Sequence, residues 1–379
     1  MTAQTMTLAA LPAAGTGQLW GMAAALTGAA LLWLGSDPAA APALATLAWL
    51  LVAAVAGFMG RSGRLAMLPA LAVVPLALIL AAAGLVRNAA PPSGPSVWLA
   101  VTAVWLGAWM LVAWLAELRP KQPAARQALG LAIPLIFGLT LLWLWEVAVQ
   151  GAGVPRVILP APSLIGARIV SSAGILWIDF VQTFVKGALS GFAIGCTAAL
   201  VFAVLVDRSP FLRAGLLPVG NFVAALPIVG TAPIMVMWFG FDWPSKAAVV
   251  VAMVFFPMLV NTVQGLAAAD RMQRDLMHTW SASYWQDLWH LRLPAAMPFI
   301  FNGLKICSTL ALIGAIVAEF FGSPTRGMGF RISTEVGRLQ LDMVWAEITV
   351  AAVAGSLFYG VWAALERRVT FWHPSQRSR

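Results

Sequence analysis

Apolar residues run along this chain in blocks long enough to cross roughly 30 Å of hydrocarbon as helices. The blocks lie near 18–35, 42–59, 66–86, 97–116, 129–150, 183–206, 216–240, 245–266, 298–320 and 346–365. That pattern predicts an all-α polytopic membrane protein with about ten transmembrane helices. One charged, proline-bearing stretch, "ELRPKQPAARQ" at 117–127, separates a nearly featureless hydrophobic block from a second block rich in Gly, Pro, Asn and charged loops. A boundary is expected there, with an N-terminal extension of about four helices over 1–128 and a second region over 129–379. No inverted internal repeat of the kind found in many secondary transporters is visible.

Composition supports this reading. Of the 379 residues, 61% are hydrophobic and 10% charged, and the mean hydropathy is +0.87, more apolar surface than a water-soluble globule could hide in one core. Lys and Arg then set the orientation. With the N-terminus inside, the inner loops receive Arg61, Arg64, Arg119, Lys121, Arg126, Arg208, Arg213, Arg271, Arg274 and Arg292 among others. The outer side receives only Arg87, Arg156, Arg168, Lys246, Arg326, Arg331 and Arg338. Both termini are therefore expected in the cytoplasm, and the net charge of +9 suits an anionic inner leaflet without invoking nucleic acid. The opening "MTAQTMTLAALPAAG" has no basic n-region, so the first helix is expected to stay as an anchor. Cys196 and Cys307 fall in apolar runs and read as buried small hydrophobes.

Residues 267–294 are the polar exception. From Asp275, the residues Leu276, Met277, Trp280, Tyr284, Leu288 and Leu291 recur at helical spacing and predict one amphipathic helix. Asp270 and Asp275 lie toward its N-terminal end and Arg292 at its C-terminal end, as the helix dipole favours. "LPAAMP" at 293–298 is expected to end it, because proline cannot donate a backbone hydrogen bond. Trp285 and Trp289 flank the stripe. Two readings fit: a docking surface for a protein or an interfacial helix at headgroup depth. The polar face carries Asp275, His278, Ser283, Gln286, Asp287 and His290, a poor match for anionic lipid, which favours the protein.

Elsewhere, polar residues in apolar runs are the candidates for a path. Asn221, Asn261 and Asn302 read either as helix–helix hydrogen-bond partners or as solute contacts, and Met235 and Trp238 as packing or an apolar gate. Glu319 stands at the end of a span, either at the mouth of a path or paired with Arg326 or Arg331. Lys305 reads as a snorkelling side chain. Pro227, Pro233 and Pro257 should kink their helices.

The stretch from Asp275 through Gly303 resembles the cytoplasmic coupling loop of bacterial ABC importer permeases, whose motif runs Glu-Ala-Ala, three residues, Gly, then an apolar stretch closed by Leu-Pro. Aligned on Leu293 and Pro294, the acidic position is Asp275, the alanines are Leu276 and Met277, and the glycine is Ser281. The likeness continues through "WEVAVQGAGVPRVILPAPSLIGARI" (145–169), "LPIVGTAPIMVMWFGFD" (226–242) and "VAEFFGSPTRGMGFRI" (317–332). Together these resemble the nitrate, sulfonate and taurine branch, which includes permeases for riboflavin and hydroxymethylpyrimidine.

The resemblance implies a six-helix type I permease core over 129–379 and a location in the bacterial inner membrane. It also implies a separate ATP-binding-cassette ATPase carrying ATP and Mg²⁺, a periplasmic or lipid-anchored binding protein, and a second permease chain, most simply an identical copy. Leu276, Met277 and Ser281 are bulkier or stiffer than the motif's residues, so either altered ATPase docking or one particular ATPase partner is expected. The chain lacks a GxxxxGK[ST] phosphate loop, so ATP hydrolysis is expected on another chain. No nucleophile constellation stands out, and His278, His290 and His373 show no metal-ligand spacing. An ion-coupled secondary transporter is the alternative, but Glu146, Glu319 and Glu347 fall toward span ends rather than at mid-depth.

Overall fold

The computed structural model describes residues 122–373 apart from 225–226 and 323–325, together with single positions between 98 and 120. The spans expected at 18–35, 42–59 and 66–86 lie outside the described residues, and the positions described within 97–116 are helical. Every regular element among the described residues is a helix. The chain forms two compact units, residues 1–164 and 165–379.

The first unit contains α1, Pro123–Gly151, opened by Pro123, whose missing N–H costs nothing in a first helical turn. Near its end Glu146 accepts hydrogen bonds from the Ser163 amide at 2.8 Å and the Ser163 hydroxyl at 2.6 Å. Ser163 lies in the first turn of α2, Pro162–Ser171, where backbone donors lack partners and a carboxylate is favourable.

In the second unit follow α3 (Ala173–Arg208), α4 (Pro210–Ala224), α5 (Ile228–Phe239), α6 (Trp243–Ala267), α7 (Arg271–Thr279), α8 (Tyr284–Gly322), α9 (Met328–Gly337) and α10 (Leu341–Val369). Of the described helices, α1, α3, α6, α8 and α10 are long and apolar enough to cross a membrane. The centre of the second unit is α6 packed against α3 and α8. Small residues there let backbones approach: Ala199, Ala203, Ala311 and Ala315 meet Val250, Val254 and Met258, and a side chain at Gly191 would run into Val250. Cys196 and Cys307 are buried within this core. Toward the outside, α10 exposes Val353, Leu357 and Val361, a surface suited to lipid.

Three expectations change. The span expected at 216–240 is two short helices, because Pro227 lies in extended backbone between α4 and α5. Neither reaches the ~20 residues a span requires. Second, "LPAAMP" does not end a helix: α8 runs through Pro294 and Pro298 to Gly322. It widens to a π-turn at Leu288–Arg292, and Pro294 follows at the return to α register, where a missing donor disturbs the ladder least.

Third, the amphipathic stretch is not one helix. Asp270, not Asp275, caps α7, its carboxylate accepting from the Met272 amide at 3.3 Å. The helix then closes with the Ser281 amide donating to the His278 carbonyl at 2.9 Å and the Ala282 amide donating to the Met277 carbonyl at 3.0 Å. That is the Schellman arrangement, and it puts Ser281 at φ +53°. Ser283 starts α8 with a reciprocal cap: its hydroxyl accepts from the Gln286 amide, and the Gln286 side chain accepts from the Ser283 amide. The Ser-x-x-Gln signal for this cap is local, but the apolar stripe runs straight across it.

Candidate functional site

Helices α3 and α6 run from one end of the second unit to the other, α8 runs back, and α10 returns. Charged groups gather at both ends. At the first, Glu319 of α8 is buried and accepts hydrogen bonds from the Thr183 hydroxyl at 2.7 Å and the Gly329 amide at 2.9 Å, with the Lys246 ammonium of α6 3.3 Å away. Asp179 of α3 accepts from the Gly327 amide at 2.7 Å and from Arg331 Nε at 2.8 Å, while the Met328 amide donates to the Thr183 hydroxyl at 2.7 Å. Successive backbone amides at 327–329 thus close over side chains from two helices. Gly327 has φ +124°, and a Cβ there would overlap the Glu319 carboxylate, so the sequence Gly-Met-Gly is sterically required. Burial works against the Arg331 charge, but the hydrogen bond and charge of Asp179 more than offset it and hold its pKa above the ordinary arginine range. Glu347 of α10 is fully buried beside these groups, and neither of its carboxylate oxygens meets a donor among the described residues.

The expected partner of Glu319 is therefore corrected. It pairs with Lys246, while Arg331 pairs with Asp179. Lys305 binds Glu366 of α10 at 2.8 Å, a partner the sequence did not name.

Among the described residues, the remaining path candidates do not form one cluster, although two of them pair. Asn302 donates to Asn261 at 3.1 Å, and Asn261 donates to the Pro257 carbonyl at 2.8 Å, so these two form a helix–helix contact between α8 and α6. Met235 packs against Ala232, Val249 and Ala318, whereas Trp238 is exposed. Asn221 belongs to α4, and its side chain lies outside what is described.

At the opposite end, α7 and the start of α8 form the segment that resembles a coupling loop. Trp280, Trp285 and Trp289 are 76%, 51% and 62% exposed, and Met272 and Leu276 are exposed beside them. Asp275 and Ser281 are exposed; Met277, Leu293 and Pro294 are half-buried. Of the expected apolar stripe only Leu288 is fully buried, with Tyr284 packed against the same core. Asp207 and Arg292 anchor the segment. Arg292 Nη1 donates to Asp207 Oδ2 at 2.7 Å, its Nη2 donates to Asp207 Oδ1, and the Tyr284 hydroxyl donates to Asp207 Oδ2 at 2.9 Å. Sequence reasoning missed this pair, because 85 positions separate its members.

Residues 191–371 match the model of the family described as binding-protein-dependent transport system inner membrane component. The riboflavin transport system permease of Chloroflexus aurantiacus is 31% identical over 250 residues, 65% of this chain and 91% of that protein. A formylaminopyrimidine transport permease of Halalkalibacterium halodurans is 30% identical over 243 residues, 64% and 96% of the two chains. The chain belongs to this permease family. The taurine transport system permease of Escherichia coli, 28% identical over 264 residues, 68% of this chain and 94% of that one, matches the branch that the motifs resemble. The permease is thus a multi-pass membrane protein of ABC transport systems, and residues 191–371 contain the whole of the segment at 267–294 and, apart from Asp179 and Thr183, the charged groups at the other end.

Proposed function

We infer that this permease is the translocation subunit of an ATP-binding-cassette importer, passing a small solute from a binding protein to the cytoplasm by alternating access. The observation that carries the reading is the coupling segment: large apolar side chains stand exposed on a short helical hairpin whose base is fixed to the bundle by buried ion pairs. A surface of that kind suits a protein partner. With no phosphate loop in the chain, that partner is the ATPase, which carries ATP and Mg²⁺ itself. The positive-inside bias puts the segment and both termini in the cytoplasm and the Lys246–Glu319 end outside, toward the binding protein.

A second copy of the chain completes the path, most simply as a twofold homodimer. The core is assigned to 129–379. The solute is a small aromatic heterocycle or a sulfonate-like anion, the classes named for the relatives. Reconstitution with ATPase and binding protein in vesicles, with riboflavin, formylaminopyrimidine and taurine offered in turn, tests this. ATP-dependent uptake of one of them is expected. Uptake by the permease alone, driven by an ion gradient, would establish a secondary transporter instead.

A further inference from the structure

The exposed tryptophans can move the bundle only if the segment that carries them is fixed to it. Arg292, at the base of that segment, is buried, and its guanidinium reaches the ends of two other helices. Its two Nη atoms bind the Asp207 carboxylate in the last turn of α3, and its Nε donates to the Leu266 carbonyl in the last turn of α6 at 3.1 Å. Leu266 is one of the carbonyls that a helix C-terminus leaves without an intrahelical donor. It also accepts from Arg274 Nη2 of α7 at 3.1 Å. Asp287 stands 3.9 Å from Arg292 Nε, and the Arg208 guanidinium lies over the rings of Tyr284 and Trp285. One side chain of α8 therefore closes on α3 and α6, and α7 joins at the same carbonyl.

Stability alone does not account for this arrangement. A buried ion pair is commonly no more stabilising than well-packed apolar residues of similar volume, because desolvation offsets the attraction. Direction is what it adds. Apolar surfaces can slide past one another, whereas a planar fork bonded to a carboxylate and a carbonyl holds a single orientation.

We propose that Arg292 is a positioning residue for energy coupling: it makes the coupling segment and the adjoining ends of α3, α6 and α8 one rigid piece, so that displacement of Trp285 and Trp289 reaches the path. This rests on the ATPase reading of the segment.

The test is a distance measurement on the full complex that needs no knowledge of the solute. Spin labels are placed at His290→Cys and Val201→Cys in a chain carrying Cys196→Ala and Cys307→Ala, and the distance is read with and without ATP–vanadate. With Arg292 present the distance should stay constant. In the double variant Asp207→Leu/Arg292→Met, which removes both charges together, the ATPase should still co-purify, but the distance should shift and broaden by several ångströms on trapping. Arg292→Lys keeps the charge and loses the fork, so it should broaden the distribution partway; this variant serves if the double variant does not fold.

A distance that stays constant in whichever of these variants folds would overturn the proposal. So would a distance that already changes with Arg292 intact. Failure of the parent chain to retain the ATPase would instead overturn the ATPase reading, and the proposal with it.

Discussion

Lys246 and Glu319 meet between α6 and α8 with their charged atoms 3.3 Å apart, and their side chains are only 1% and 0% exposed. Breaking such a pair from one side leaves an uncompensated charge in a dry interior, at a cost of about 3–5 kcal/mol. Lys246→Met should therefore lower the thermal unfolding temperature markedly, as followed by tryptophan fluorescence in detergent. The double change Lys246→Met/Glu319→Gln should recover most of the loss, since the amide oxygen can still accept from Thr183 and Gly329. If the single and double variants melt together, the charge pair is not what holds this end.

Ser281 occupies the left-handed position of the Schellman turn that separates α7 from α8. An L-residue with a side chain is disfavoured there by about 1–2 kcal/mol, and glycine removes that penalty at some entropic cost in the unfolded chain. Ser281→Gly should increase amide-exchange protection in α7, and Ser281→Val should reduce it. Equal protection in both would show that the backbone conformation of the turn does not limit the segment's order. At the position of the motif's glycine the bend is made, with the serine held in the left-handed region to make it.

How far the sequence could be read depended on how local each cause is. The apolar runs at 129–150, 245–266 and 346–365 fall inside α1, α6 and α10, with ends no more than six residues apart, because span length follows from side chains adjacent in sequence. The break at Pro227 was equally local, yet the apolar block at 216–240 passed over it, as the amphipathic stripe passed over the Ser283 cap. Neither charged end was legible. Asp179 lies 152 positions from Arg331, and Asp207 lies 85 from Arg292, so composition marks each residue as costly in hydrocarbon without naming its partner. Asn261 and Asn302 form the helix–helix hydrogen bond that one of their two readings expected.

Trp289 offers the cleaner test of the docking surface, since Trp285 also stacks edge-on against Tyr284 at 5.4 Å and its loss would disturb the anchor. If Trp289 fills a pocket on the ATPase, Trp289→Ala should cost about 2 kcal/mol or more, roughly a thirtyfold loss in affinity. Retention of the ATPase on the immobilised permease, at matched membrane expression, reads this directly. Undiminished retention by the Trp285→Ala/Trp289→Ala variant would mean that the tryptophans face lipid.

Asp270 and Asp275 divide two roles that the motif's single acidic position would otherwise merge. Asp270 caps α7 through the Met272 amide, so Asp270→Ala should cost about 1 kcal/mol of local stability and show as faster amide exchange over residues 271–274. Asp275 is exposed in the middle of α7, beside Leu276 on the surface assigned to the ATPase, and its carboxylate caps nothing. Asp275→Asn should therefore leave exchange unchanged and act on the encounter, slowing association and weakening its dependence on ionic strength, as a rim charge does. Association rates measured for both variants at two salt concentrations, alongside exchange, separate the roles. Faster exchange in Asp275→Asn, or an unaltered salt dependence with normal exchange, would remove Asp275 from the docking surface and leave the exposed apolar side chains to account for it alone.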